Sequence, residues 1–244
     1  MSTAAILVIG NEILSGRTQD ANVAFLGGEL AARGVTLAEV RIVRDDTDAI
    51  VEALNALRRR HTYVFTSGGI GPTHDDITAA AVAAAFERPL IRNAEAVRRL
   101  QSRYAAGELN TARLKMAQMP EGASLIDNPV SQAPGFRLDN VFVMAGVPRI
   151  LQAMFDGIKD GLAGGPPQLS RSLTLVVREG DLADGLTALQ DSHPQIEIGS
   201  YPSFTEGRSL VTVVARGTDA AALDRVMAET RILADTLTAA ILDG

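Results

Sequence analysis

The sequence contains no cysteine and no tryptophan, and aromatic residues make up only 4% of its 244 positions. The absence of cysteine excludes a disulfide framework, a thiol nucleophile and a metal site with cysteine ligands. Because 46% of the residues are hydrophobic and few are aromatic, the core must consist mainly of aliphatic side chains. Such a core is typical of buried parallel strands rich in Val, Ile and Leu.

No apolar run reaches the length of a transmembrane helix, and the N-terminus lacks the basic and apolar regions of a signal peptide. We therefore predict a cytoplasmic protein without a membrane partner. The net charge of −6 also argues against binding of nucleic acid, which needs a broad basic surface. An anionic ligand would have to be held locally, by backbone N–H groups, a few cations or a metal ion.

The first two thirds of the chain alternate between short apolar runs and amphipathic segments with a helical period. Strands are predicted at residues 4–10, 36–43, 62–67, 123–126 and 140–146, and helices at 21–34, 46–60, 77–86, 93–104 and 149–158. This alternation is typical of a mostly parallel sheet covered by helices on both faces. We therefore expect a three-layer α/β domain over residues 1–165.

A Gly- and Pro-rich stretch at residues 161–170 interrupts the alternation and is interpreted as a linker. Beyond it the pattern predicts a strand, a helix, two strands and a last helix. We assign this smaller α+β domain to residues 170–244. Its last helix is expected to carry one apolar stripe, formed by Leu223, Val226, Leu233, Leu237 and Ile241.

The stretch "TSGGIGPTHDD" (66–76) joins a predicted strand to an Ala-rich helix and contains Gly68, Gly69 and Gly71. A glycine-rich turn at this position lets the backbone approach a phosphate closely, although tight turns also use glycine. Asp76 has two interpretations. It can complete a capping box with Thr73 at the helix N-cap, or it can hold a divalent cation beside bound phosphates.

Two more acidic clusters follow predicted strands. Asp45 and Asp46 come after the second strand, and one of the residues Asp46 and Thr47 is expected to cap the next helix. Glu12, Asp20 and Asn22 follow the first strand. Because the carboxyl ends of parallel strands meet at one edge of the sheet, all three clusters are expected to converge there with the glycine loop.

Four segments carry a resemblance to a known family: "GNEILSGRTQDAN", "TSGGIGPTHDDIT", "PEGASLIDNPVSQAPGF" and "MAGVP". Over residues 4–160 the chain resembles the molybdopterin-binding-type domain of the competence/damage-inducible protein A (CinA) family. It is also similar to the MogA and MoaB domains of molybdenum cofactor synthesis. Residues 170–244 resemble the small KH-like module of CinA proteins. We expect the chain to lack the nicotinamide-mononucleotide deamidase domain of larger members.

The resemblance implies a set of site residues. Asp76 and Asp45 are implied to be catalytic and to hold a divalent metal ion, either Mg²⁺, Mn²⁺ or Co²⁺. The implied ligand- or phosphate-binding residues are Gly68, Gly69, Gly71, Thr73, Glu12, Asn22, Ala133, Pro134, Gly135, Gly146 and Pro148. The Asn-Pro turn of the same motifs falls on Asn128 and Pro129, and Val147 lies within the closing Gly-Val-Pro turn.

Two functions follow from the resemblance. CinA-type domains are implied to be metal-dependent pyrophosphatases that act on ADP-ribose-like dinucleotides. MogA-type domains adenylylate molybdopterin, so the alternative is a non-catalytic protein that binds molybdopterin or a nucleotide phosphate. Either way the expected partner is a small molecule, and we expect a homo-oligomer.

The chain departs from the family pattern at several positions. Ile150 stands where many CinA members carry Glu, Asn11 stands where Asp is usual, and "VSQ" replaces the usual Gly-Thr before Ala-Pro-Gly. The first of these departures favours the non-catalytic alternative, whereas the intact "GGIGPTHDD" favours the enzyme. Residues 170–244 contain no GXXG loop, which nucleic-acid-binding KH domains require. We therefore interpret that module as structural or dimer-forming.

Overall fold

The computed structural model describes residues 2–105, 107–205 and 207–242. The chain divides into two compact units, Met1–Gly165 and Pro166–Gly244. In each unit the strands and helices enclose their own apolar core.

The first unit contains eight strands and seven α-helices within the described residues. They are β1 (Ser2–Ile9), α1 (Asn11–Leu14), α2 (Asn22–Ala31), β2 (Val35–Val43), α3 (Thr47–Arg60), β3 (Tyr63–Ser67), α4 (Thr78–Ala85), β4 (Leu90–Arg92), α5 (Ala94–Arg103), α6 (Thr111–Leu114), β5 (Gln118–Pro120), β6 (Ser124–Ile126), β7 (Gly135–Leu138), β8 (Val141–Met144) and α7 (Pro148–Asp156).

The main sheet has the strand order β2-β1-β3-β8-β7-β6. Strands β2, β1, β3 and β8 run parallel, whereas β7 and β6 pair antiparallel at one end. The predicted three-layer, mostly parallel α/β fold is therefore confirmed. Sequence reasoning missed β7 and the small separate two-stranded sheet of β4 and β5, because these short strands show neither a continuous apolar run nor a clear alternation.

The central strands β1, β3 and β8 are buried on both faces, as their continuous apolar runs predict. In β1, Ala5, Leu7 and Ile9 face one core, which also contains residues of α3, α4 and α5. Ala4, Ile6 and Val8 face the other core, with residues of α2 and α7. The few aromatic residues concentrate in this second core, where the rings of Phe65 and Phe142 stack with centroids 5.1 Å apart.

The order in which successive strands join the sheet reverses at β1, and this reversal determines the position of the site. β1 pairs with β2 on one side and with β3 on the other. The loops that leave the carboxyl ends of β1 and β3 therefore diverge and open a crevice between them. In open α/β sheets ligands bind at such a switch point.

The second unit contains β9 (Leu169–Val176), α8 (Glu179–Ser192), β10 (Glu197–Thr205), β11 (Arg208–Gly217), α9 (Ala220–Thr236) and β12 (Ala240–Leu242). Its strands form one antiparallel sheet in the order β10-β11-β9-β12, and a single core joins the sheet to both helices. The predicted small α+β domain is confirmed, with one strand more than expected.

The last helix is shorter than predicted, and Ile241 lies in β12 instead. α9 ends where Thr238 adopts a positive φ of 54°. The N–H groups of Thr238 and Ala239 donate to the carbonyl oxygens of Asp235 and Ala234, which is the pattern of a Schellman C-cap. Ile241 nevertheless packs against the core of this unit, as its place in the apolar stripe suggested. Across the described ranges, no helix combines the length and hydropathy needed to cross a membrane.

Candidate functional site

A cavity of about 560 Å³ opens at the switch point of the first unit. The loops after β1, β2, β3 and β8 line it, together with Met116 and part of the segment between β6 and β7. The lining includes ten of the thirteen predicted site residues: Glu12, Asp45, Gly68, Gly69, Gly71, Thr73, Asp76, Ala133, Gly146 and Pro148. The carboxyl-end loops thus converge as the strand order predicts.

The first two glycines of the loop after β3 are required by the packing of the chain. Gly68 and Gly69 have positive φ angles of 110° and 69°. A Cβ atom on Gly68 would lie 2.2 Å from the carbonyl oxygen of Ile9, and one on Gly69 would lie 2.1 Å from Oγ1 of Thr78. The hydroxyl of Thr78 donates to the Gly68 carbonyl at 3.0 Å. The tight-turn interpretation therefore holds for this part of the loop.

The N–H groups of the loop fall into two sets. That of Gly68 donates to the carbonyl oxygen of Met144 at 3.2 Å, so it is not free for a ligand. Within the described residues, the N–H groups of Gly69, Ile70 and Gly71 have no hydrogen-bond acceptor. All three residues line the cavity, where such groups suit the oxygens of an anion.

Thr73 and Asp76 close a turn that precedes the helix. The Asp76 Oδ2 atom accepts from the Thr73 N–H at 2.7 Å and also from the Thr73 hydroxyl. α4 begins only at Thr78, with Ile77 at its N-cap and no side-chain cap. The predicted capping box is therefore wrong, because these two residues bond to each other in a turn ahead of the helix. Oδ1 of Asp76 remains without a protein partner in the described chain.

Asp75 lies on the same turn and lines the same cavity. The nearby Thr73 hydroxyl, and next its own backbone N–H, lower the pKa of Asp75 below its ordinary value, although the one hydrogen of that hydroxyl is directed to Oδ2 of Asp76. The carboxylate therefore stays ionised to lower pH than a free aspartate. Its contribution to stability is present above the ordinary pKa and is lost as the pH falls through the lowered one.

The adjacent residues Asp45 and Asp46 have different roles. Asp46 is the N-cap of α3 and accepts from the Ala49 N–H at 2.9 Å, so the predicted capping is confirmed for this residue. Oδ2 of Asp45 accepts from the Asn11 N–H at 2.9 Å and lines the cavity. The β1 loop contributes Glu12 to the lining. Its carboxylate lies over Gly10, so a Cβ atom there would require the flexible Glu12 side chain to move.

The charge of the lining is entirely negative. Four carboxylates line the cavity, and its lining contains no Lys, Arg or His: the acids are Glu12, Asp45, Asp75 and Asp76. Lys115 lies just outside, where its Nζ atom donates to the Thr73 carbonyl oxygen at 2.5 Å. In the described ranges, no three His, Asp or Glu side chains are grouped to hold a metal ion. Mg²⁺ usually needs only one or two carboxylates when substrate phosphates supply other ligands, so Asp45 and Asp76 fit such a partial set.

Comparison with known proteins agrees with this geometry. Residues 5–163 match the family model described as a probable molybdopterin binding domain. The chain belongs to this family. Its second unit matches, over residues 167–239, the model described as the middle domain of FAD synthase.

Individual relatives extend the comparison. A protein of Pyrobaculum calidifontis is 34% identical over 217 residues, which cover 84% of this chain and 83% of that protein. A probable FAD synthase of Caenorhabditis elegans is 36% identical over 230 residues, covering 83% of this chain and 44% of that protein. The crystal structure of a CinA protein of unknown function from Thermoplasma acidophilum has a TM-score of 0.63 and 33% identity, covering 66% of this chain and 97% of that one.

Asn22 does not line the cavity of this molybdopterin-binding-type unit, although it was predicted to bind the ligand. It is buried behind the cavity, where its Nδ2 atom donates to Oγ of Ser67 at 2.8 Å and to the carbonyl oxygen of Gly146 at 2.7 Å. Asn22 thus ties the end of β3 to the turn before α7. Its Oδ1 atom is buried and has no hydrogen-bond partner in the described chain.

Pro134 and Gly135 are also absent from the lining. Pro134 lines a smaller adjoining cavity of about 70 Å³ together with Lys115. Gly135 begins β7, and a Cβ atom there would lie 2.2 Å from the carbonyl oxygen of Val143. The glycine of this motif therefore allows β7 and β8 to approach closely, which is a packing role.

The segment before β7 is held in shape by Asn128. Its Nδ2 atom donates to Oγ of Ser131 at 2.7 Å and to the carbonyl oxygen of Ala133 at 2.8 Å, while its Oδ1 atom accepts from the N–H groups of Val130 and Ser131. Asn128 is buried with its amide fully used. The turn thereby brings Ser131 and Ala133 to the cavity.

Several lining residues were not predicted from the sequence: Ile9, Gly10, Thr18, Ile70, Pro72, Asp75, Met116, Ser131 and Ala145. Asp75 and Ile70 lie inside the glycine-rich motif, so its boundaries already contained the signal. Met116 follows α6, far from any recognised motif, and its position depends on tertiary packing alone.

Proposed function

We propose that the cavity binds a nucleotide or pterin phosphate together with a divalent cation and hydrolyses the diphosphate linkage of ADP-ribose-like dinucleotides. The observation that carries this proposal is the combination of three free backbone N–H groups with four carboxylates and no basic side chain. The carboxylates alone would repel a phosphate, whereas a cation between them and the phosphate makes both sets of groups favourable.

Asp76 and Asp45 are the residues that would hold the cation. A bound Mg²⁺, Mn²⁺ or Co²⁺ ion withdraws charge from phosphoryl oxygens and lowers the pKa of bound water. The N–H groups of Gly69, Ile70 and Gly71 would hold phosphate oxygens and stabilise the charge that develops on them. Thr73 would keep Asp76 in place through the two hydrogen bonds to its Oδ2 atom.

The relatives suggest a substrate class. One of them is named a probable FAD synthase, and the second unit matches the middle domain of that enzyme. In FAD and in ADP-ribose, the phosphate of AMP is joined through one P–O–P bridge to the phosphate of a second ester, which is FMN in FAD and ribose 5-phosphate in ADP-ribose. In the proposed reaction, water adds to one phosphorus atom, the P–O–P bond breaks and a proton is released. The products are AMP and either FMN or ribose 5-phosphate.

A second candidate is binding without turnover. Ile150 lines the cavity at the position where many similar sequences carry Glu. An apolar side chain there can neither bind a cation nor accept a proton. The cavity would then hold molybdopterin or a nucleotide phosphate and release it unchanged.

The test incubates the purified chain with ADP-ribose or FAD and each of Mg²⁺, Mn²⁺ and Co²⁺, and measures AMP. We expect metal-dependent release of AMP and a loss of about a hundredfold or more in Asp76→Asn, since the amide keeps a hydrogen-bond acceptor but loses the anionic ligand. The control is Asp46→Asn, which should keep full turnover because Asn and Asp cap helices similarly.

Three results are informative. Unchanged turnover in a folded Asp76→Asn variant would contradict the metal-holding role. Absence of AMP together with calorimetric binding of ADP-ribose would favour the second candidate. Absence of both would contradict the proposed ligand class.

A further inference from the structure

Strand β2 forms one edge of the main sheet. Within the residues that the structure describes, it pairs with β1 alone. It is nine residues long and contains no proline. Proteins usually shorten, charge or cover such an edge, because its free N–H and C=O groups can pair with another strand.

The side chains of β2 alternate in character on its two faces. Val40 and Ile42 pair in register with Ile6 and Val8 and therefore lie on the same face of the sheet as these residues. They are 39% and 42% exposed, which is high for large aliphatic side chains beside a covered sheet. Together they form an apolar stripe at the free edge.

The opposite face of β2 carries one acid and one base. Glu39 and Arg41 are two positions apart and join through Arg41 Nε and Glu39 Oε1 at 2.7 Å. The second oxygen of Glu39 lies 3.2 Å from Nε2 of His61. Val40 thus sits between two opposite charges on the same strand.

We propose that this edge pairs with β2 of a second copy of the chain, antiparallel and with Val40 opposite Val40. The charges favour both this occupant and this register, because only the register centred on Val40 places Glu39 of one copy opposite Arg41 of the other. Directly opposite residues of an antiparallel pair lie on the same face, so a symmetric pairing must place one residue opposite itself. With Val40 at the centre, Glu39 of each copy faces Arg41 of the other. With Glu39 or Arg41 at the centre, like charges face each other, which is unfavourable.

The pairing accounts for both faces of the strand. It covers Val40 with Val40 of the second copy and places Ile42 opposite Ala38, and it gives the free backbone groups of both edges their partners. Because the two-fold axis reverses strand direction, the two cavities lie at opposite ends of the joined sheet. The proposal is therefore independent of the function of the cavity.

The test measures the mass of the protein by sedimentation equilibrium over a wide concentration range. We expect a dimer for the natural chain, and a rise in its dissociation constant of about tenfold or more for Glu39→Arg and for Arg41→Glu, since each places like charges opposite each other twice. An equimolar mixture of the two variants should restore the dimer. In that mixed pair, every Arg again faces a Glu.

A second variant makes the test independent of these charged positions. Val40→Lys places two ammonium groups opposite each other at the two-fold axis and should give a monomer with an unchanged circular dichroism spectrum. The matched control is Ile232→Lys on α9, where the isoleucine is 65% exposed, and it should leave the dimer intact. A natural chain that is monomeric throughout, a dimer that survives Val40→Lys, or charge variants that fail to recover on mixing would each overturn the proposal.

Discussion

The glycine-rich loop after β3 has two parts with different surroundings, a base at Gly68–Gly69 and a rim from Gly71 to Asp76. At the base, positive φ angles and contacts with Ile9 and Thr78 leave no space for any side chain. At the rim, a Cβ atom on Gly71 would meet only the end of the Asp76 side chain. The three glycines of one motif therefore have separate roles: two determine how the chain packs, and the third faces the cavity.

The largest difference between base and rim is expected in stability. Gly68→Ala should lower the free energy of unfolding by about 3 kcal/mol or more, since the new methyl group would overlap a backbone oxygen and the residue would keep a positive φ. Gly71→Ala should change it by less than about 1 kcal/mol, because a flexible carboxylate can move aside. Chemical denaturation of both variants measures the two values.

For ligand affinity per folded molecule, we expect the larger loss in Gly71→Ala and the smaller loss in Gly68→Ala. Gly71→Ala should weaken the calorimetric affinity for ADP-ribose with Mn²⁺ by about tenfold, since the methyl group displaces Asp76 and narrows the approach to the free N–H groups. A Gly68→Ala variant as stable as the natural chain would contradict the assignment of the base. A Gly71→Ala variant with full affinity would contradict the assignment of the rim.

Most of the fold could be predicted from the sequence because the core is built from regular, locally recognisable elements. Continuous apolar strands alternate with amphipathic helices, and this pattern depends on residues close together in the chain. It also predicted that Gly68, Asp45 and Asp76 would meet, because parallel strands end at one edge. Asn22 shows where such reasoning fails. Its position near the motif suggested ligand contact, but only tertiary packing determines that it lies behind the cavity, bonded to Ser67 and Gly146.

Lys115 is a residue near the site that nothing in the sequence singles out. No motif surrounds it, yet folding places its ammonium group on the carbonyl oxygen of Thr73, 42 positions away in the sequence. The residue lies next to Met116, which lines the cavity. A contact across such a separation cannot be read from periodicity or spacing, although it supplies a positive charge beside four carboxylates.

A smaller loss of ligand affinity is expected when the hydrogen bond from Lys115 to the Thr73 carbonyl oxygen is removed. Lys115→Met keeps most of the aliphatic stem but loses the hydrogen bond to Thr73, and the affinity for ADP-ribose with Mn²⁺ should fall by about fivefold. Hydrogen exchange of residues 71–76 should become faster at the same time. Lys115→Arg retains a donor and should recover most of both properties. Equal exchange and affinity in Lys115→Met would show that the contact does not hold the rim.

The smallest expected effect is a change in stability when either of two buried threonines beside the base, Thr66 or Thr78, is replaced by valine. Oγ1 of Thr66 in β3 is buried without a hydrogen-bond partner in the described chain, whereas the hydroxyl of Thr78 donates to the Gly68 carbonyl. Both residues are fully buried, so the same change to valine tests the hydroxyl alone. Thr66→Val should stabilise the protein by about 1 kcal/mol, because it removes an unsatisfied polar group. Thr78→Val should destabilise it by a similar amount, because the Gly68 carbonyl loses its donor. The melting temperatures should therefore move in opposite directions by about 2–4 °C each, and a decrease in both would mean that Thr66 has a polar partner after all.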